Sequence, residues 1–174
     1  MIDFAKYAFN KSHAAAYAVV SYQTAFLKYY YPVEYMAALM TSVIHNPSKV
    51  AEYILSSRKM QIEILPPDIN FGESEFSADH GAIRYGLSAI KSLGAPMIRA
   101  IVEERNENGK YQSLRDFIER MSGRELNKRA IENLIKAGAL DQVAGNRRQK
   151  LMVYAEIVDA VNQEKKNAMT GQMS

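Results

Sequence analysis

Apolar residues recur at helical spacing through most of the chain, interrupted at prolines and at a series of glycine turns. Ser12 followed by an alanine-rich stretch predicts a helix from a Ser12 N-cap to Tyr30. Pro32 suits a first helical turn. Val33–Ile44 then places Tyr35, Met36, Leu39, Met40 and Val43 on one face. Asn46-Pro47-Ser48 breaks and re-caps the chain before a helix over Val50–Met60. The period shortens to that of a strand over Gln61–Leu65 and stops at Pro66-Pro67. Glu75–Ala78 and Ala82–Tyr85, around Asp79-His80-Gly81, predict a β-hairpin. Helical spacing then returns around two short turns, Lys91-Ser92-Leu93-Gly94-Ala95 and Lys136-Ala137-Gly138-Ala139-Leu140. Leu87 and Ile90 precede the first, and Met97, Ile98, Ile101 and Val102 follow it. Ile131, Leu134 and Ile135 precede the second, and Leu151, Met152, Tyr154, Ala155 and Val158 follow it. Between them Ser113 caps a predicted helix Leu114–Met121, and Asn146 caps another reaching Gln163, after which the periodicity fades. The fold class is mainly α: helices, a small β-hairpin, then a pair of helical hairpins.

A glycine in such a turn takes positive φ and lets the backbone approach a ligand. The helix that starts after it offers free N–H groups at its positive end, a site for a phosphate of any sequence. Charge strengthens that reading. Residues 1–86 hold seven Lys/Arg against eight Asp/Glu, whereas residues 87–174 hold fifteen against eleven. The paired turns resemble a tandem helix-hairpin-helix, a module that grips the DNA backbone. In that module's usual turn a second glycine stands where this chain has Ser92 and Lys136. The candidate DNA contacts are Lys91, Gly94, Ala95, Arg99, Lys128, Arg129, Lys136, Gly138, Ala139, Arg147 and Arg148, with Lys150 also within reach of phosphate. The plainer alternative is that both glycines are helix C-caps and the hairpins are structural.

Composition removes several classes. The chain has no cysteine, so disulfides and thiolate metal sites are excluded, and a reducing cytoplasm is compatible. No apolar run is long enough to span a bilayer, and the start lacks a signal peptide pattern. His80 reads as a turn residue, with no second histidine or acidic cluster at metal-ligand spacing.

Asn10, Lys11, Ser12 and His13 cluster at the start of the first long helix, an arrangement that can receive an anion such as a triphosphate. A capped helix with a solvated lysine explains the same residues. The wording of the sequence adds to this. Phe9-Asn10-Lys11-Ser12-His13-Ala14-Ala15-Ala16-Tyr17-Ala18, Ser21-Tyr22-Gln23-Thr24-Ala25 and Tyr31-Pro32-Val33-Glu34-Tyr35-Met36-Ala37-Ala38-Leu39 resemble the fingers domain of the bacterial C-family replicative DNA polymerases, the polymerase III alpha subunits. Ile64-Leu65-Pro66-Pro67-Asp68-Ile69-Asn70, Ala82–Lys91 and Asn127–Asp141 resemble later blocks of that family in the same order.

The resemblance implies an internal segment of a longer polymerase. Residues 1–60 would end the fingers, 61–86 connect, 87–164 form the tandem helix-hairpin-helix, and 165–174 form a tail. It also implies that Asn10, Lys11, Ser12 and His13 face the incoming deoxynucleoside triphosphate and that the hairpins hold primer–template duplex. The family's two magnesium ions would belong to a palm domain, with no cofactor in this segment, which would be inactive alone. Gln172-Met173-Ser174 look like the first positions of a sliding-clamp motif. The competing reading is a free-standing helical module that binds DNA or protein without a polymerase around it. Exposed apolar surface on Met1–Tyr31 favours the polymerase segment; a closed core there favours the module.

Overall fold

The computed structural model describes residues 11–124 and 126–171, with no side-chain description for 169–171. Asn10 and Gln172, Met173 and Ser174 lie outside the described residues. Helix α1 (Lys11–Tyr30) already includes Ser12, which sits inside the helix instead of capping it. Among its residues none is buried. Tyr17, Val19, Val20, Tyr22, Phe26, Leu27, Tyr29 and Tyr30 are all exposed, Tyr22 at 71% and Tyr29 at 78%.

Helix α2 (Pro32–Ser42) begins at its proline and buries Met36, Ala37 and Met40. Helix α3 (Pro47–Lys59) is capped by Asn46, whose side chain accepts from the Lys49 amide. The strand expected from Gln61 shrinks to β1 (Ile64–Leu65) because the chain leaving α3 is still wrapping that helix end. Gln61 takes φ 61°, and the Ile62 amide returns to the Ser57 carbonyl at 3.0 Å. Strands β2 (Ser77–Asp79) and β3 (Ala82–Arg84) form the hairpin, with His80 and Gly81 both at positive φ in its two-residue turn. β1 joins parallel to β3, giving the order β1-β3-β2. Met36, Met40, Val50, Ile62, Phe76 and Ile83 close one core between α2, α3 and this sheet.

The rest of the chain makes a second core. Helices α4 (Ala95–Asn108), α5 (Leu114–Met121), α6 (Lys128–Ala137) and α7 (Arg147–Gly171) surround Ile98, Ile101, Phe117, Met121, Ile131, Leu134 and Leu140. Ser113 caps α5 and Asn127 caps α6. Asn146 and Gln149 cap α7 reciprocally, each side chain accepting the other's amide at 2.9 Å. α7 continues past Gln163, where the apolar period ends, because polar contacts carry it on. Arg115 pairs with Glu164, and Lys165 donates to the carbonyls of Glu119 and Ser122.

The loop from Pro66 to Phe76 is bound tightly to this second core. Asn70 and Tyr111 exchange hydrogen bonds like neighbouring strand residues: the Asn70 side chain donates to the Tyr111 carbonyl at 2.9 Å and accepts its amide at 2.8 Å. Buried Arg105 donates to the carbonyls of Ile69 and Gly72 and to the Glu73 carboxylate. The Ile69 amide donates to the Ala139 carbonyl at 2.9 Å.

Candidate nucleic-acid interface

The two turns differ in construction. Before the first there is only a single 3-10 turn, Leu87–Ala89, in place of the helix the apolar run suggests. Positive φ falls on Ser92 (66°), in the position where a second glycine is usual, while Gly94 has φ −79°. Gly94 is therefore the N-cap of α4 and not a left-handed residue. It has no side chain to offer the helix, and a Cβ there would meet nothing closer than Pro96 at 3.6 Å. The first amide of α4 with a backbone acceptor is that of Ile98, bonded to the Gly94 carbonyl at 3.1 Å. Among the described residues the amides of Ala95 and Met97 have no acceptor, and Pro96 has no N–H. Within α4–α7, only α4 begins without a side-chain cap. Gly94 and Ala95 are exposed at this bare positive end.

The second turn corrects the expectation that both present free amides. Gly138 does adopt the left-handed conformation (φ 86°), but as the C-cap of α6. Its amide donates to the Ile135 carbonyl, and the Ala139 amide donates to that of Leu134. Both residues are buried, and the next helix starts only at Arg147. Gly138 and Ala139 are thus helix-capping residues, not phosphate donors. The missed signal was the spacing from Gly138 to Asn146, too long for a helix beginning directly after the turn.

The candidate cations divide in the same way. Lys128 pairs with Asp159 at 2.6 Å and Lys136 with Glu132 at 2.5 Å. Arg147 lies over Gly138 with its guanidinium on Asp141, whose carboxyl it holds below the ordinary aspartate range. Lys150 is buried, its ammonium donating to the carbonyls of Val143 and Gly145, so it is not available to phosphate. Burial pushes that ammonium below the usual lysine value. Lys91, Arg99, Arg129 and Arg148 are exposed and have no ion pair among the described residues. Arg99 sits in a shallow groove with Glu73 and Glu103, which weakens its positive field.

The structure brings Lys91 and Lys136, one from each turn, to the same cleft of about 450 Å³. The Asn133 side chain donates to the Lys91 carbonyl at 3.0 Å, tying α6 to the first turn. At the other end of the chain, Lys11, Ser12 and His13 are exposed on the first turn of α1, with the His13 ring 4.4 Å from that of Tyr17. None of the three lines this cleft. Among the described residues no three His, Cys, Asp or Glu side chains are placed to share a metal, and no helix is long and apolar enough to cross a membrane.

The bare helix start after a tight turn, with a second hairpin braced against it, is the architecture of a nucleic-acid backbone grip. Residues 61–150 match the helix-hairpin-helix motif family, and the chain belongs to that family. The chain is also similar to DNA polymerase III alpha subunits. That of Xylella fastidiosa is 45% identical over 175 residues, taking in 100% of this chain and 15% of the relative. That of Thermus aquaticus is 52% identical over 138 residues (79% of this chain, 11% of the relative). That of Mycobacterium tuberculosis is 42% identical over 172 residues (99% and 14%). The chain therefore spans 15% or less of the length of each of these proteins.

Proposed function

We propose that this chain holds duplex DNA by its backbone, without reading sequence, as one part of a bacterial replicative polymerase. The observation that carries the proposal is the uncapped start of α4 beside Lys91. Amides at a helix's positive end donate to a phosphate oxygen whatever base it carries, and an unpaired lysine adds charge without specifying a base. Lys91 with Arg129, Arg148 and Arg99 supplies the electrostatic share. If those cations neutralise phosphates, log K for a duplex falls with log salt at a slope of about −3 to −4, at roughly 0.9 per phosphate. Fluorescence anisotropy with two unrelated duplexes over a salt series tests this. A salt-insensitive affinity, or a strong preference between the duplexes, overturns it.

The polymerase context is supported by α1. A helix with aromatic residues exposed around it, such as Tyr22 and Tyr29, has apolar surface to bury against further protein. That surface favours the polymerase segment over the free-standing module. In the same proposal Asn10, Lys11, Ser12 and His13 serve the incoming deoxynucleoside triphosphate. Gln172, Met173 and Ser174 open a sliding-clamp motif. The two magnesium ions and their carboxylates belong to other parts of the polymerase. This chain alone then extends no primer when given primer–template, nucleotides and magnesium; incorporation by it overturns that assignment.

A further inference from the structure

The cleft shared by the two turns has a property that a backbone grip does not need. Its lining is largely apolar, with Pro67, Tyr85, Ala89, Ile90 and Ala137 beside the polar Asn133, Lys136 and Lys91. A phosphodiester held at the surface needs donors and positive charge, and leaves an apolar lining unused. Tyr85 is half-buried, and its ring is fixed edge-on against Phe76 with centroids 4.7 Å apart. Its hydroxyl has no hydrogen-bond partner among the described residues. Burial raises its pKa, so it stays a donor. Asn133 spends its amide nitrogen on the Lys91 carbonyl and keeps its side-chain oxygen as an acceptor. The cleft is thus lined by an aromatic residue held against Phe76, by a side chain with a free neutral acceptor and by an unpaired lysine.

We propose that this cleft takes a single unpaired nucleotide of the bound DNA, its base against Tyr85 and its phosphate at Lys91. The inference rests on the DNA-binding reading above and names the ligand of one part of that interface. Volume, chemistry and continuity support this occupant. A space of about 450 Å³ suits one small ligand. An aromatic face accepts any base, because every base has a π-face, and Lys91 gives the charge complement. Lys136 already holds Glu132 and contributes less. The cleft borders the turn that leads into the bare start of α4, so one strand reaches both.

The test uses the chain with three labelled duplexes: fully paired, with a single 2-aminopurine bulge, and with an abasic bulge at the same place. Anisotropy at low salt should show the 2-aminopurine bulge bound about 5- to 10-fold more tightly than the paired duplex. The abasic bulge, which bends the DNA alike but has no base, should bind like the paired one. 2-Aminopurine emission should fall as the bulged complex saturates. Tyr85→Leu should remove the preference and leave paired-duplex affinity unchanged, with folding checked by circular dichroism. The emission change in the unaltered chain needs no variant, so it decides the matter even where Tyr85→Leu unfolds. Equal affinities with unchanged emission overturn the cleft assignment while leaving the backbone grip standing. So does a preference that persists in the abasic duplex or in folded Tyr85→Leu. Failure to bind any of the three overturns both readings.

Discussion

Replacing Gly94 by asparagine should make the protein more stable and worse at binding DNA. Gly94 is the N-cap of α4 in an extended conformation that any residue adopts, and a Cβ there finds ordinary contact only, 3.6 Å from Pro96. An asparagine side chain can accept the Met97 amide, as Asn127 accepts the Ala130 amide at the start of α6. Asparagine is a better N-cap than glycine by a few tenths of a kcal/mol, so stability should rise by about 0.5 kcal/mol. The same side chain occupies the place where a phosphate oxygen would meet the free amides. Losing one charge-assisted hydrogen bond removes about 1.5–3 kcal/mol, which is roughly tenfold or more in affinity. Asparagine is neutral, so the loss is not repulsion between the new residue and DNA. Urea melts give the first quantity, and anisotropy against one duplex at fixed low salt gives the second. A variant that is stabilised yet binds duplex as tightly as before refutes the idea that the start of α4 holds phosphate.

Gly138→Ala should cost stability, because the left-handed conformation at φ 86° strains any residue with a Cβ and the new methyl runs into the Arg147 guanidinium. The expected loss is about 1–3 kcal/mol, most of it backbone strain and the remainder the exposed Arg147–Asp141 pair, read as a lowered urea midpoint. Acid should destabilise the fold through Glu104, a buried carboxylate that Arg120 and Asn108 hydrogen-bond and Arg124 faces, held below the usual glutamate range chiefly by Arg120. Its folded pKa is depressed, so the unfolded chain takes up the proton first. The stabilisation is complete above the unfolded value of about 4.3 and disappears as pH falls through the lower folded value. Glu104→Gln should lower stability at neutral pH and flatten this acid arm in melts recorded from neutral to strongly acidic solution.

The parts of the fold that were legible in the sequence are those fixed by local chemistry. Ser113 and the run behind it give α5 with both ends as expected, and His80-Gly81 gives the hairpin turn. Periodicity could not show whether Leu87 and Ile90 lie on an α-helix or a single 3-10 turn, because both bury residues spaced three apart. Nor could it separate the two glycines: Gly94 and Gly138 sit in similar words, but one starts a helix and the other ends one. Charge counting failed at Lys150, whose ammonium is drawn inward by the carbonyls of Val143 and Gly145. The ties of Asn70 to Tyr111 and of Arg105 to the Ile69–Glu73 segment span more than thirty residues, so nothing local announces them. Nothing in either turn's own sequence shows that Lys91 and Lys136 converge on one cleft, which depends on the tie from Asn133 to the Lys91 carbonyl.

The segment between the strands has a consequence for how the protein comes apart. Phe76 and Ile83 belong to the first core, while Ile69, a few residues before Phe76, belongs to the second. The same stretch is fastened through Arg105 to α4, through Asn70 to the loop after α4, and through the Ala139 carbonyl to the second turn. Melting the second core would release this loop, and with it the strand that completes the first; melting the first would strip the loop of its anchor at Phe76. The two cores are therefore bound into one cooperative unit, in which partial unfolding of either half exposes apolar surface in both. A calorimetric scan of the chain should accordingly trace one transition across residues that make up two separate hydrophobic clusters.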